Sequence, residues 1–221
     1  MGIHFTDRHG GVSGGNYGSL NLGDHVADAP DAVAANRKVV TDQFGPTQYM
    51  NQVHGNRVAV IEEVTDEIPT ADALITGIPG ITLAVMVADC IPLLLTSKYS
   101  VAAVHVGRKG LVNRVAEKSI EILREISDQE ITATIGPAIC GKCYEVSQDI
   151  FDEVVKNHPA TASQTHSGTP ALDLVAGLIS DLHDLGIEKI TNQTRCTFEH
   201  EDLFSYRRSA VTGRQAGLVW L

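Results

Sequence analysis

A chain of 221 residues is long enough for one well-buried core, and neither a Pro/Ser-rich linker nor a block of like charges divides it, which predicts a single domain over residues 1–221. Asp and Glu outnumber Lys and Arg by 27 to 17, for a formal net charge of -10, and the basic residues are scattered, so we expect no nucleic-acid-binding surface. The longest hydrophobic stretch, residues 78–95, contains Asp89, and an aspartate at the centre of a membrane helix costs roughly 2.5 to 3.5 kcal/mol. We therefore expect two core segments there and no membrane span.

The N-terminal stretch MGIHFTDRHGG lacks the cationic and apolar regions of a secretory signal. We therefore expect a cytoplasmic protein. Four cysteines are too few for a disulfide scaffold, and a reducing compartment would keep them as thiols that can bind a metal or pack in the core.

The predicted elements intermingle along the chain. A Gly- and Asn-rich stretch, residues 10–23, predicts a structured loop, and it lacks the Gly-Lys-Ser/Thr ending of a phosphate-binding P-loop. Apolar residues at helical spacing predict helices over residues 31–44, 112–126, 149–156 and 172–185. Short β-branched runs predict strands over residues 58–61, 81–88, 101–106, 131–135 and 216–220. Because there is no repeating βα period, the sequence favours an α+β or layered α/β domain, with a mixed sheet flanked by helices, over a barrel.

Three residues with metal-binding side chains lie at the ends of apolar runs. His54 lies in NQVHG, Cys90 in MVADCIPLLL and His105 in AAVHVG, and strand ends open onto loops, where sites are usually built. Two imidazoles and one thiolate suit Zn²⁺, and three protein ligands leave a fourth position for water or substrate. Each residue alone also has an ordinary explanation, as a small packed thiol or as a histidine bonded to a backbone carbonyl.

A second group of metal-binding residues follows later in the chain. Cys140 and Cys143 form a C-x2-C half-site, and Cys196 and His200 form a C-x3-H half-site. The gap between the two halves is far longer than the roughly 12 to 20 residues of small zinc modules, so only tertiary structure could join them. A redox pair is also disfavoured, because Cys140 does not open a helix that would lower its pKa. The sequence therefore favours two loop thiols at Cys140 and Cys143.

Several motifs together resemble one known family. In chain order they are TDRHGGVSGGNYGSLNLGDHV, NQVHG, ADALIT, ADCIPLLL, AAVHVG, IGPAICGKCYEV, RCT, FSYRR and TGRQAGLVWL. This series resembles the YfiH-type family, long called the laccase-domain or polyphenol-oxidase-like proteins, over essentially the whole chain. The resemblance implies a single mixed α/β domain, a zinc ion held by His54, Cys90 and His105, and phosphorolysis of purine nucleosides. It also implies adenosine deamination and methylthioadenosine cleavage as associated activities.

The chain departs from the family pattern next to one ligand. Where the family commonly reads HAGWRG, this chain reads HVGRKG, with Arg108 in the tryptophan position and Lys109 in the arginine position. The departure concerns neighbouring contacts to a base or a phosphate and leaves the three ligands unchanged.

Candidate roles for the remaining residues follow from their chemistry. Asp89 is the expected general acid or base, with a carboxylate bonded to nearby backbone N–H groups as the structural alternative. Gln52 is expected to orient His54 or to contact a base. An attacking phosphate needs cations, for which Arg207 of FSYRR is the first choice. Other candidate cations are Arg37, Arg57, Arg108, Lys109 and Arg208.

Two rival functions remain open at the level of sequence. A His2Cys set also matches blue copper and hence a copper-dependent polyphenol oxidase, but the axial methionine candidate, Met86, would lie roughly 13 Å from Cys90 along a strand. A non-catalytic module stabilised by zinc would hold its ion with four protein ligands. Purine nucleosides and phosphate are the expected substrates, Zn²⁺ is the expected cofactor, and copper is its alternative.

Overall fold

Five helices form where apolar residues recur at helical spacing. The computed structural model describes residues 1–221, and its helices are α1 (Pro30–Phe44), α2 (Arg108–Val112), α3 (Val115–Ile126), α4 (Gln148–Asn157) and α5 (Leu174–Asp184). Asp173 caps α5, because its carboxylate accepts a hydrogen bond from the backbone N–H of Ala176 at 2.9 Å. Ser147 caps α4 in the same way, through the N–H of Ile150. Both caps satisfy donors that a helix N-terminus leaves free.

Twelve strands form two large sheets and one hairpin. They are β1 (Gly2–Phe5), β2 (Thr47–Gln48), β3 (Val58–Val60), β4 (Ala73–Thr76), β5 (Thr82–Val87), β6 (Ile91–Thr96), β7 (Val101–Val106), β8 (Thr132–Ile135), β9 (Ala162–Gln164), β10 (Pro170–Leu172), β11 (Lys189–Asn192) and β12 (Gln215–Trp220). One sheet has the order β11-β8-β6-β7-β4-β3, the second has the order β1-β12-β5-β2, and β9 pairs with β10. Parallel and antiparallel pairs occur in both large sheets, which confirms the predicted α+β class with mixed sheets.

The two large sheets pack face to face, and helices cover their outer faces. Successive side chains of a strand point to opposite faces, so Leu94 of β6 packs against Leu83 and Val85 of the facing sheet. Leu93 and Leu95 point the other way, into the cluster that α3 and α5 cover. On the far side of the four-stranded sheet, α1 packs its apolar residues against β5 and β12. Because both faces of the central strands are buried, β5, β6 and β7 read as continuous apolar runs instead of alternating ones.

Two predicted helix boundaries are wrong. The helix predicted over residues 112–126 begins at Val115, because Arg114 adopts the left-handed conformation with φ 58° and separates α3 from α2, a helix that was not predicted and that ends at Val112. The helix predicted from Leu172 begins at Leu174, because Leu172 pairs with Ala162 in the β9–β10 hairpin. The other predicted helices and strands match the observed ones to within one residue at each end.

The two core segments expected in residues 78–95 are confirmed as β5 and β6. Several short strands, in contrast, were not predicted. β4 has four residues and is wholly buried, and β11 has four and is largely exposed at the edge of its sheet. Neither run is long enough to show a two-residue period, so their state depends on the strands beside them.

The connection between β5 and β6, which contains Asp89 and Cys90, joins the two sheets. β5 belongs to the four-stranded sheet and β6 to the six-stranded sheet, and only Ala88, Asp89 and Cys90 connect them. Asp89 adopts φ 102° in this short connection. Polar side chains are tolerated here because the connection opens onto a cavity at the edge of both sheets. No helix has the length and apolar character that crossing a membrane requires.

Candidate metal centre and active site

Three side chains that the sequence singled out as metal ligands come together. Cys90 comes from the β5–β6 connection, His105 from the end of β7, and His54 from the loop between β2 and β3. Their ligand atoms all lie within 4.8 Å of one another, and the Sγ of Cys90 is 3.7 Å from Nε2 of His54. The two imidazole rings meet edge to face, with centroids 4.7 Å apart.

Asp72 holds both histidines of this group in place. Its carboxylate is fully buried, and it accepts hydrogen bonds from the backbone N–H groups of His54 at 2.9 Å and Gly55 at 2.7 Å. Its Oδ1 also lies 2.8 Å from Nδ1 of His105, which leaves Nε2 of that ring as the atom available to a metal. Burial raises the pKa of Asp72, but the hydrogen bonds from His105 and the backbone outweigh that effect and lower it.

Asp72 was not among the candidate site residues that the sequence indicated. The available signal was an acid inside the apolar run ADALIT, at the residue before β4. An aspartate is rarely fully buried without a partner, so that position alone indicated a buried hydrogen-bonding network.

The backbone around the ligands is constrained at two positions. His54 has φ 58°, an uncommon conformation for a residue other than glycine, and the hydrogen bonds to Asp72 hold it. Gly107 follows β7, and a Cβ there would lie 2.9 Å from Sγ of Cys90 and 3.0 Å from Cδ2 of His54. The site therefore requires glycine at position 107 for its ligands to approach one another.

The titration of Cys90 and His105 is linked. Burial raises the pKa of the Cys90 thiol, but the charge of His105 and hydrogen bonds from both histidines outweigh it and lower the pKa to about 6. Burial lowers the pKa of His105, but the Cys90 thiolate and the Asp72 carboxylate outweigh it and raise the pKa to about 9. In the protein without metal, Cys90 is therefore a thiolate at neutral pH, which is the form that binds metal ions.

The donor set fits a metal ion that takes nitrogen and sulfur ligands. Tetrahedral zinc places neighbouring ligand atoms roughly 3.3 to 3.6 Å apart, given its bond lengths of about 2.0 to 2.3 Å, and the Cys90–His54 distance is close to that range. Met86, the candidate axial ligand for copper, directs its sulfur toward a guanidinium nitrogen of Arg37 at 3.7 Å. The sulfur is thus engaged with a cation, which does not favour its use as a metal ligand.

A cavity of about 360 Å³ opens beside the three ligands. Its volume falls in the range of small-molecule sites, about 300 to 1,000 Å³. Its walls include aromatic side chains, cationic side chains and the amide of one glutamine. These residues are His25, Gln52, Tyr144, Tyr206, Arg207 and Arg214. The metal-binding group therefore faces a space large enough for a substrate.

Two arginines line this cavity. Arg207 stacks over the ring of Tyr144, 5.0 Å from its centroid, and one guanidinium nitrogen donates to the carbonyl of Glu145 at 2.7 Å. The remaining N–H donors of that guanidinium make no hydrogen bond within the protein. Arg214 was not among the candidates, although it lies in the TGRQAGLVWL motif. Its guanidinium is partly buried and donates to the carbonyls of Thr212 and Gly213.

The structure does not bring Arg37 or Arg108 into the cavity wall. Arg37 packs over the ring of Tyr49, pairs with Asp24 at 3.2 Å and donates to the carbonyl of Leu22. Arg108 begins α2 and is half-buried. Burial and the negative charge of Cys90 raise the pKa of Tyr144 in the cavity wall, and the nearby charge of Arg108 offsets this only in part.

Lys109, Arg57 and Arg208, the other candidate cations, lie outside the wall. Lys109 and Arg57 are exposed. Arg208 donates hydrogen bonds to the backbone carbonyls of Thr197 and His200, among others, and so holds its own loop together.

Gln52 and Asp89 line the cavity but already have protein partners. The amide of Gln52 accepts from the N–H of Met86 at 2.8 Å and donates to its carbonyl at 2.7 Å, which anchors the His54 loop to β5. The carboxylate of Asp89 accepts from the hydroxyl of Thr197 at 2.6 Å and from the backbone N–H of Arg207 at 2.7 Å. These contacts fix the positions of His54 and Arg207.

The second group of cysteines also comes together, contrary to the expectation of two separate loop thiols. Cys140, Cys143 and Cys196 have sulfur atoms within 4.8 Å of one another and of a carboxylate oxygen of Glu199. The predicted fourth member, His200, instead points its Nδ1 at the carbonyl of Cys196, 3.0 Å away. A β-bridge between Ala138 and Cys196 brings the two loops together although they are far apart in sequence.

Proteins of known sequence and structure match the chain over nearly its whole length. A family model described as multi-copper polyphenol oxidoreductase laccase matches residues 2–221. A Corynebacterium glutamicum protein named purine nucleoside phosphorylase is 45% identical, covering 98% of this chain and 93% of its own length. A Streptomyces coelicolor protein of the same name is 44% identical over 100% of this chain and 96% of its own length.

Solved structures agree with these matches. The crystal structure of a Neisseria meningitidis protein superposes with a TM-score of 0.90 at 40% identity, covering 99% of this chain and 93% of that one. The Bacillus licheniformis hypothetical protein YfiH superposes with a TM-score of 0.89 at 29% identity, covering 99% of this chain and 92% of that one. The chain therefore belongs to the YfiH-type laccase-domain family.

Proposed function

We propose that the chain is a zinc-dependent purine nucleoside phosphorylase that cleaves adenosine and inosine with phosphate. The observation that carries the proposal is the open set of three ligands, His54, Cys90 and His105, at the wall of a cavity that also presents arginine side chains. The names of the relatives with 44 to 45% identity support the same activity. We also propose a cytoplasmic location, because a reducing compartment keeps the four free cysteines as thiols that can bind a metal.

Zinc is proposed because two imidazoles and one thiolate, with a fourth position left open, are a donor set of catalytic zinc. When bound, the ion would act as a Lewis acid that stabilises negative charge and lowers the pKa of water or of a coordinated oxygen. Asp72 would keep Nε2 of His105 directed at the ion, and Gln52 would keep the His54 loop against β5.

The other groups would position the two substrates. A phosphate oxygen attacks C1′ of the ribose, the bond from C1′ to the base nitrogen breaks, and the base leaves with the bonding electrons and takes up a proton. We propose that Arg207 binds the phosphate, because its guanidinium faces the cavity with free donors. Tyr144 and Tyr206 offer aromatic surface to a purine. Asp89 would aim Arg207 and, as the carboxylate beside the ligands, is the proposed general acid or base, which would pass a proton taken from solvent to the departing base.

Adenosine deamination and methylthioadenosine cleavage are proposed as associated activities of the same site. Deamination needs an activated water in place of phosphate, which the open metal position would supply. Methylthioadenosine needs only room for an apolar sulfide on the ribose. Copper oxidation of phenols is less supported, because the Met86 sulfur lies against Arg37. A non-catalytic zinc module is less supported, because its ion would have four protein ligands and no cavity.

The test incubates zinc-loaded protein with adenosine, inosine or methylthioadenosine, with and without phosphate, and separates the products by chromatography. We expect free base and pentose 1-phosphate only when phosphate is present, and inosine from adenosine in either condition. Cys90→Ser should remove both reactions, whereas Lys142→Ala, an exposed change outside the cavity, should keep them. Equal base release without phosphate would indicate hydrolysis, and oxidation of phenols only after copper loading would indicate the oxidase.

A further inference from the structure

We propose that Cys140, Cys143, Cys196 and Glu199 bind a second metal ion, a thiolate-preferring divalent ion of the zinc type, with a structural role. The observation is that four potential ligand atoms, one from each residue, lie within 4.8 Å of one another. None of these residues lines the cavity that contains Cys90. The second site is therefore distinct from the proposed catalytic centre.

The two chain segments that supply the ligands are fixed by backbone contacts. The N–H of Cys143 donates to the carbonyl of Cys140 at 3.0 Å, which closes a tight turn around both thiols. The β-bridge between Ala138 and Cys196 joins this turn to the second segment. A Cβ at Gly141 would lie 2.7 Å from Cβ of Asp173, so the turn packs closely against the start of α5. The ligands are thus held in place by the fold before any ion binds.

Burial and the neighbouring thiols raise the pKa values of Cys143 and Cys196, so these thiols stay protonated until an ion binds. The backbone N–H of Cys140 donates to the sulfur of Cys196 at 3.4 Å, and such N–H donors stabilise a thiolate ligand as they do a carboxylate. The carboxylate of Glu199 is 3.5 Å from the sulfur of Cys143 and supplies an oxygen ligand. Zinc accepts sulfur and carboxylate oxygen ligands, and structural zinc sites are closed tetrahedra of four protein ligands.

The arrangement favours an ion over a disulfide. A disulfide would use two of the three thiols and leave the third sulfur and the Glu199 carboxylate without a function at the same point. All four cysteines of the chain are free thiols in the structure. A metal ion is the one occupant that uses all four groups, and each thiol gives up its proton to solvent as the ion binds.

A second ion would stabilise one wall of the proposed active site. Tyr144 follows Cys143 directly and lines the cavity. Thr197 follows Cys196, and its hydroxyl donates to Asp89, which in turn accepts from the N–H of Arg207. Linking the two segments through an ion would therefore stabilise the wall that carries Tyr144 and the proposed phosphate-binding arginine.

The test is zinc stoichiometry measured by elemental analysis, after zinc loading and removal of excess ion. We expect about two zinc ions per chain in the unmodified protein, about one in Cys90→Ser, about one in Cys143→Ser and none in the double variant. Lys142→Ala, which changes the exposed residue inside the same turn, should keep about two. Cys90→Ser isolates the second site, so the result does not depend on phosphorylase activity.

Cobalt binding gives a second readout in case Cys143→Ser fails to fold. Cobalt added to Cys90→Ser should give thiolate-to-cobalt charge-transfer absorption and the intense visible bands of a tetrahedral site. Glu199→Gln, an exposed change, should weaken cobalt binding in that background while the protein stays folded. The proposal is overturned if Cys90→Ser binds no zinc and no cobalt, or if mass spectrometry of the protein purified under reducing conditions finds a disulfide among the three cysteines.

Discussion

Asp72 and His105 form a buried hydrogen bond in which Oδ1 of the carboxylate lies 2.8 Å from Nδ1 of the ring. The same carboxylate accepts three backbone N–H groups, those of Val53, His54 and Gly55, from the loop that carries His54. One side chain thus sets the position of two ligands that are far apart in sequence. Because the Nδ1 proton is held by the carboxylate, Nε2 is left to bind a metal.

Replacing Asp72 with Asn should therefore weaken metal binding. The new amide would direct a donor or a neutral acceptor at the four N–H groups that now meet a carboxylate, and outer contacts of this kind are worth about 10- to 100-fold in metal affinity. Competition with a chelator measures the affinity of the cavity site, and Asp66→Asn, an exposed acid, is the matched control. Unchanged affinity in Asp72→Asn would show that the carboxylate does not direct His105.

Gly107→Ala should disturb the same ligands by crowding. The new methyl group would lie 2.9 Å from Sγ of Cys90, so the sulfur or His54 must move. Overpacking of this kind costs about 1 to 3 kcal/mol, which corresponds to roughly 5- to 150-fold in metal affinity. Gly14→Ala, where a Cβ would meet nothing within 4 Å, should leave the affinity unchanged. Equal chelator-competition curves for the two variants would contradict the crowding argument.

The metal-free protein should contain a reactive thiolate at neutral pH. The pKa of Cys90 is lowered to about 6, so its contribution to stability is present above the ordinary thiol pKa and is lost as pH falls through about 6. The pKa of His105 is raised to about 9, so its contribution is present below the ordinary imidazole pKa and is lost as pH rises through about 9.

Alkylation kinetics follow this titration directly. The rate of modification of Cys90 by iodoacetamide, with Cys90→Ser as the blank for the other thiols, should rise through pH of about 6. A midpoint at the ordinary thiol pKa would mean that the two histidines do not stabilise the thiolate.

Replacing Arg207 and replacing Arg108 should have different effects on phosphate binding and turnover. Arg207 lines the cavity with free donors, whereas Arg108 does not reach the wall. Losing a charge-assisted hydrogen bond costs about 1.5 to 3 kcal/mol, so Arg207→Ala should raise the phosphate KM or lower kcat/KM by roughly tenfold to a hundredfold. Arg108→Ala should change either value by a smaller factor, and Lys109→Ala, an exposed control, by almost none. Steady-state kinetics with phosphate varied would contradict this order if Arg108→Ala had the larger effect.

The sequence alone determined the elements whose signals are local. Helical spacing in α3 and α5 and β-branched runs in β5 and β7 lie within a few residues, so each could be read without knowledge of its neighbours. The types of side chain likewise made His54, Cys90 and His105 candidate ligands, and the resemblance to the YfiH-type family selected them.

Only the tertiary structure decided which groups contact and orient these ligands. Asp72 is 33 residues from His105, and Cys196 is 56 residues from Cys140, yet each pair is in contact because paired strands and loops bring them together. The sequence already ranked Arg207 first among the candidate cations, but only the packing shows that Arg207 lines the cavity while Arg37 lies over the ring of Tyr49. Side-chain chemistry is a property of the single residue, whereas hydrogen bonds and metal coordination act over a few ångströms and depend on how the chain folds.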